Sequence, residues 1–548
     1  MDVLFPQRLS WAIGAVIVTG LLEFWRRLHA HRALSKNLPG PPRSYLFGYI
    51  ISIGKVVAKQ PRNAAPQTFP LHIKEAYGLG EWFCMDAWPL GPTILVTFLP
   101  EMMQEFTVKH TTLKHPAVGE FMENFGGEGN LVSAEGATWK KWRSAFNPGF
   151  SASHLITMVP AIVDQGAIYC KIMDEHAQKE DLFRMEPATT KLTVDVIAKI
   201  VMDHDLNSQV GPNDLVDAFI SQTKWQKIGA QFRPSELIDF RRPFVQAWNN
   251  YRMDRYIGRL LDERFAQRDS QSDGKKQKIV IDLALTTYLK EVKGSTGSDS
   301  KVNKIDPDFR AGAIANIKIF VFAGHDTTSS TICYCYYYLS KNPDMLAKIR
   351  AEHDGIFGSD PAAAAQAIKD DARLLNRLEY TTAVIKEVLR LQPPASTIRV
   401  GAEGFFIHDP TTGQQIHTAN LMLWPVDVGL HRSPLWNDPH VFRPSRFLDS
   451  STNTSAYVPF SKGPRNCIGQ ELAMLEAKTI LAMTVRSWEF EAGFGELAKL
   501  KGDGSGYPSD MKGVQEMWGD EAYQIQLGTA KPREGMPCRL RRRKGVVG

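Results

Sequence analysis

Phe460-Ser461-Lys462-Gly463-Pro464-Arg465-Asn466-Cys467-Ile468-Gly469 runs directly into Gln470 to Leu481, a stretch of good helix formers. Gly463 lets the backbone turn sharply, and Gly469, with no side chain, leaves room for a bulky group beside the chain. Cys467 therefore sits just before a helix N-terminus, where the macrodipole and free amides favour thiolate over thiol. The other cysteines are Cys84, Cys170, Cys333, Cys335 and Cys538. No pair has the short repeated spacing of a zinc site, and their density is far below that of a disulfide scaffold. Cys333 and Cys335 lie in an apolar stretch and read as packing residues, so the main body looks reduced and intracellular.

Three segments upstream bear on that cysteine. Ala311 to Ser340 reads as one long apolar helix ended by Asn342-Pro343, yet its middle holds Ala323-Gly324-His325-Asp326-Thr327-Thr328. Polar and helix-weakening residues there are costly. Either the hydroxyls bond back to carbonyls one turn earlier, or the helix opens to hold small ligands. Val384 to Arg390 forms an apolar helix that stops at Pro393-Pro394, with Glu387 and Arg390 on one face. Arg446, in Phe442-Arg443-Pro444-Ser445-Arg446-Phe447, is a candidate third member of a buried charge network. Trp139 and Arg143, four apart on an expected helix, can reach one anionic group together.

The spacing of Phe, Gly, Arg, Cys and Gly in 460–469 resembles the ligand loop of cytochromes P-450 without a departure. The other segments follow in that family's order, and the resemblance covers roughly residues 38 to 540. It implies a mainly α fold with small β-sheets, a triangular helical prism enclosing haem b (iron protoporphyrin IX). Cys467 would be the axial ligand of the haem iron, its thiolate pushing electron density toward dioxygen. Phe460 and Gly469 would flank the haem, and Trp139, Arg143, Arg399 and Arg465 would hold its propionates. Thr327 would hold dioxygen by hydrogen bond while Asp326 helps deliver protons. Glu387, Arg390 and Arg446 resemble the family's structural triad. Ser445 departs from the family's usual Glu, and His325 occupies a variable position.

The implied activity is insertion of one oxygen atom of O2 into an apolar small molecule. Electrons would come from NADPH through a separate NADPH-cytochrome P-450 reductase, because no flavin or nicotinamide segment is apparent. A basic surface around Lys462 and Arg465 would receive that donor. The general character resembles fungal secondary-metabolism members acting on polyketide-like intermediates. Fatty acid or terpenoid hydroxylation, a haem-thiolate isomerase or dehydratase, and a non-catalytic haem carrier or sensor are the alternatives. Retention of Asp326-Thr327 argues against the isomerase. Phe121, Met122, Phe125, Phe320, Ala323 and Ile398 are candidates for the pocket wall.

At 548 residues, length alone suggests two to four domains, but a helical enzyme can enclose a cofactor in one body. A formal charge of +6 is mild and gives no basic face for nucleic acid. From Leu9 to Leu22 the chain is uncharged, with Trp11, Phe24 and Trp25 at or near its edges and Arg26, Arg27, Arg32 and Lys36 following. The run is short for a span, and its flanks do not suit a cleaved signal. The positive charge behind it favours a cytoplasmic body. Leu9 to Trp25 reads as a marginal signal anchor, with Leu38-Pro39-Gly40-Pro41-Pro42 as a stiff hinge. The expected division is 1–37, membrane anchor and basic flank, and 38–548, catalytic domain, on the endoplasmic reticulum membrane with a single pass. Asn453-Thr454-Ser455 matters as a sequon only in a secretory lumen. Gln267 to Lys278, Gly294 to Lys304 and Lys501 to Asp510 read as loops, 396 to 430 as hairpins, and Tyr523 to Leu540 as a strand pair around Pro532 to Pro537.

Overall fold

A computed structural model describes residues 4–226, 239–267, 279–296, 304–507 and 512–543. The loop-like stretches Gln267 to Lys278 and Gly294 to Lys304 fall mostly outside them, as do 508–510 and Lys544.

The axis of the body is helix Pro307–Lys341. Asp306 caps it, its carboxylate accepting from the Asp308 and Phe309 amides at 3.0 Å, and Asn342-Pro343 ends it. Its apolar residues follow no single stripe, and accordingly it is buried on nearly every side, Cys333 and Cys335 fully. Helix Met185–Met202 packs along it, with the Thr193 hydroxyl donating to the His325 carbonyl at 2.9 Å. Helix Ala152–Lys179 buries Leu155, Val159, Ile162 and Val163, the spacing read from the sequence. At Gly166 it meets helix Gln470–Thr484 so closely that a Cβ would come within 3.0 Å of Met483 Sδ.

Small sheets lie at the margins. Strands β1 (Trp82–Asp86), β2 (Thr93–Thr97), β7 (Met422–Pro425) and β4 (Arg399–Val400) form one sheet in that order, with β2 and β7 parallel. β5 (Phe406–His408) and β6 (Gln415–His417) make the hairpin expected around Asp409-Pro410. β3 (Phe183–Arg184), β11 (Pro537–Arg542) and β8 (Trp488–Ala492) form a third sheet. The expected pairing across Pro532 to Pro537 is corrected. β9 (Gln524–Leu527) pairs with β10 (Thr529–Pro532) through Gly528, and β11 joins the other sheet. Gly528 has φ +77°, a value other residues resist, and makes the β9–β10 turn, while Arg533–Gly535 makes a separate turn into β11.

The N-terminal helix runs Leu4–Leu34, longer than the apolar run within it. Trp11, Val16, Ile17, Leu21, Leu22 and Trp25 are exposed, whereas Leu28 and Arg32 are buried in the body. Arg32 pairs with buried Asp86 at 2.5 Å. The proline segment is pinned rather than free: the Cys84 amide donates to the Pro39 carbonyl at 2.7 Å, and a Cβ on Gly40 would sit 2.7 Å from the Cys84 carbonyl. Among the described residues, the helix long and apolar enough to cross a membrane is Ala152–Lys179, which lies in the core.

Behind the cysteine loop, Arg390 forks onto Glu387 at 2.7 and 2.8 Å, and Arg446 reaches the same carboxylate at 3.0 Å. The remaining guanidinium hydrogens go to carbonyls of 431–441, among them His431 and Pro439 at 2.7 Å. The network ties helix Glu379–Leu391 to the segment leading into Cys467. Glu387→Ala would leave two buried guanidiniums without a counter-charge, so it is expected to cost about 3–5 kcal/mol in a denaturant titration. An unchanged midpoint would contradict this role.

Candidate active site

Cys467 is presented by a tight loop. Its amide donates to the Phe460 carbonyl at 2.9 Å, and Gly463, at φ +81°, lets the strand reverse. A Cβ there would lie 2.1 Å from the Thr107 carbonyl. Gly469 borders the thiol, and helix Gln470–Thr484 begins one residue later. Burial pushes the Cys467 thiol up, and the Gly469 amide with Arg143 pulls it only partway back. The Gly469 amide, Arg143 and Lys114 favour the thiolate and burial opposes it, and the exposed side chain faces the cavity, where a cation on the sulfur would favour the charged form.

The thiol opens onto a cavity of about 330 Å3. Phe320, Ala323, Gly324 and Thr327 form the facing wall, and Ile385, Leu389, Phe460 and Leu472 contribute to the apolar lining. The central helix does not open there, correcting that alternative. Thr327 Oγ1 donates to the Ala323 carbonyl at 2.9 Å and Thr331 Oγ1 to the Thr327 carbonyl at 2.9 Å, so back-bonding satisfies the hydroxyls. His325 points away, its Nδ1 bonding the Val321 carbonyl at 2.5 Å.

One edge of the cavity is cationic. Trp139, Arg143 and Arg465 line it. The Arg143 guanidinium donates twice to Asn466 at 2.9 Å, and Arg465 stacks over Trp139 at 4.8 Å while donating to Glu135 at 2.7 Å. Arg399 lies fully buried behind this edge, outside the cavity lining. Its Nε and Nη2 have no partner among the described residues, and burial with nearby Arg465 pushes it down to about 10. Lys114, missed in the sequence, also lines the cavity; burial, Arg399 and Arg465 push it down to about 7. Only its position in the fold marks it out. Crowded cations with orphaned donors fit the propionates of a haem, and the flat apolar slot with one thiol fits its ring and iron.

Other expectations divide. Asp326 does not line the cavity; its carboxylate is fully buried and turned toward β10. Arg465 is 4% exposed at its side chain and paired to Glu135, so it does not contribute to a basic outer face. Lys462 is half-buried with its ammonium on the Ser455 carbonyl. Phe121 and Ile398 line a second, larger cavity and Met122 lines both, whereas Phe125 is a core residue packed 4.2 Å from Phe322. Thr529, unremarked in the sequence, lines both cavities.

A helical body that turns one loop thiol into an apolar slot with a cationic edge defines a haem-thiolate protein. The chain belongs to the cytochrome P450 family, whose model matches residues 38–502. It is 35% identical to cytochrome P450 monooxygenase polC of Polytolypa hystricis, across 97% of this chain and 96% of that protein. It is 34% identical to cytochrome P450 monooxygenase acrF of Aspergillus aculeatus, across 88% and 98%. With cytochrome P450 4A7 of Oryctolagus cuniculus the identity is 28%, across 88% and 92%.

Gly463→Ala combines a left-handed backbone with a carbonyl clash, so the loop must shift. The purified variant is expected to lose most of its haem absorbance at 1:1 reconstitution while keeping its helical circular dichroism. Full haem content would contradict the loop's dependence on that glycine.

Proposed function

We propose that this chain is a monooxygenase inserting one oxygen atom of O2 into an apolar small molecule of fungal secondary metabolism. The observation that carries the reading is the cavity with Cys467 on one wall and Ala323 and Thr327 on the other. Relatives named monooxygenases from two fungi support it. When bound, thiolate-ligated haem supplies the activation of dioxygen.

The chain's own residues do the rest. Cys467 would ligate the iron. Trp139, Arg143, Arg465 and Arg399, with Lys114, would hold the propionates. Phe460 and Gly469 border the thiol, and the apolar lining there would exclude water that protonates the sulfur. Thr327 can turn its hydroxyl from the Ala323 carbonyl toward the cavity, since its side chain is only half-buried. Asp326, one residue earlier, is the nearby acid for proton supply.

The second cavity, of about 1000 Å3, adjoins the first at Val118, Met122, Phe322 and Ser396. Its size suits a bulky substrate with an apolar skeleton. Electrons would arrive from NADPH through a separate reductase, and the exposed apolar face of the N-terminal helix would anchor the protein to the endoplasmic reticulum membrane.

The test is turnover with a reductase under 18O2, screening polyketide-like and terpenoid compounds. One labelled oxygen in the product is expected. Product labelled only from water, or formed without O2, would overturn the reading. Thr327→Ala is expected to lower product per NADPH by about tenfold, with hydrogen peroxide rising in its place.

A further inference from the structure

The acid of the central helix is gripped from outside that helix. Asp326 Oδ2 accepts from both the amide and the hydroxyl of Thr529, each at 2.8 Å. Its Oδ1 lies 2.5 Å from Lys531 Nζ and 3.5 Å from His325 Nε2. Lys531 also pairs with Glu186 at 2.8 Å, and Glu186 accepts from Thr190 at 2.7 Å and from the Tyr507 hydroxyl at 2.9 Å. A Cβ on Gly528 would stand 2.8 Å from Asp326 Oδ2. The β9–β10 turn is therefore moulded around this carboxylate, and its next residue, Thr529, reaches both cavities.

The charges facing Asp326 are few. Burial pushes the Asp326 carboxyl up, but Lys531, His325 and the Thr529 amide together hold it below its ordinary value. Burial pushes His325 down, so that ring is neutral near pH 7. Burial would lower Lys531 too, yet Asp326 and Glu186 raise it. Tyr507 is raised by burial and by Glu186, and stays a neutral donor. Lys531 is left as the full positive charge on Asp326 from β10.

We propose that Lys531 is a positioning residue for proton supply, holding Asp326 ionised, clamped to Thr529 and turned from the cavity, with Glu186 fixing the ammonium. This deepens the monooxygenase reading and rests on it for its meaning in turnover, though the clamp can be tested without turnover. Asp326 meets the cavity through the Thr529 hydroxyl, so its charge state sets which way that hydroxyl points. Without Lys531, a carboxylate in this enclosure has no compensating cation and takes up a proton.

The experiment is an infrared pH titration of the haem-loaded protein, reading the C=O band of protonated carboxyls. Lys531→Met is expected to bring an added band into the neutral range that is absent in the parent. Asp326→Asn in the same background should remove it, and Lys531→Arg should never show it. If the band persists in the Asp326→Asn double variant, it belongs to Glu186 and the proposal falls. No new band in a haem-loaded Lys531→Met protein also overturns it. Lys531→Gln, which keeps a polar end for Glu186, takes the same measurement if the Met variant does not hold haem. In turnover, Lys531→Met should gain a neutral-range limb in the pH profile of product per reductant. A flat profile alongside the new band would fault the monooxygenase reading of Asp326, not the clamp.

Discussion

A thiolate cannot be kept in an apolar slot without a cation against it, and the organisation of this protein follows from that constraint. The low-polarity lining pushes the Cys467 thiol up, against the Gly469 amide, Arg143 and Lys114, although the side chain itself opens onto the cavity. The same lining favours a group that brings positive charge to the sulfur and apolar area to the walls. The cationic edge answers the complementary need. Lys114, Arg143 and Arg465 crowd one rim, and Arg399, buried outside the cavity lining, lacks partners for two nitrogens among the described residues. Such crowding is unfavourable until carboxylates arrive. A haem's ring, iron and propionates would each relieve one of these costs.

The scaffold holds the two walls apart and in register. The thiol wall is fixed by a loop that only glycine can turn at 463, backed by the Glu387, Arg390 and Arg446 network. The facing wall is a continuous helix whose polar interior is satisfied one turn back or by neighbours. Its acid is held by a hairpin two hundred residues downstream. The cavity facing the thiol and the larger cavity beside it thus share Thr529.

Much of this was legible in the residues, for reasons that can be named. The cysteine loop is local: turn, ligand and helix start lie within ten positions, so spacing carries the geometry. The central helix and Ala152–Lys179 declare themselves by apolar length and by period. Glu387 and Arg390 are one helical turn apart, which made half the network visible, and the proline-flanked Arg446 supplied the third member. What stayed hidden depends on long-range packing. Lys114 acquires meaning from Arg399, nearly three hundred residues away. The direction of Asp326 is set by Lys531 and Thr529, and nothing in the helix motif shows it pointing from the cavity. The prolines at 532 and 537 do flank a turn, at Arg533–Gly535, but β11 leaves it for β3 and β8 while Gly528, at φ +77°, closes β9 onto β10, and neither partner choice is visible locally.

Cys467 as the proposed ligand of the haem iron is tested most directly by the absorption spectrum of the purified protein, reduced and saturated with carbon monoxide. A strongly red-shifted Soret band in the parent, lost in Cys467→Ala, is the predicted result. A parent protein without that band, or a Cys467→Ala variant that keeps it, would contradict the account.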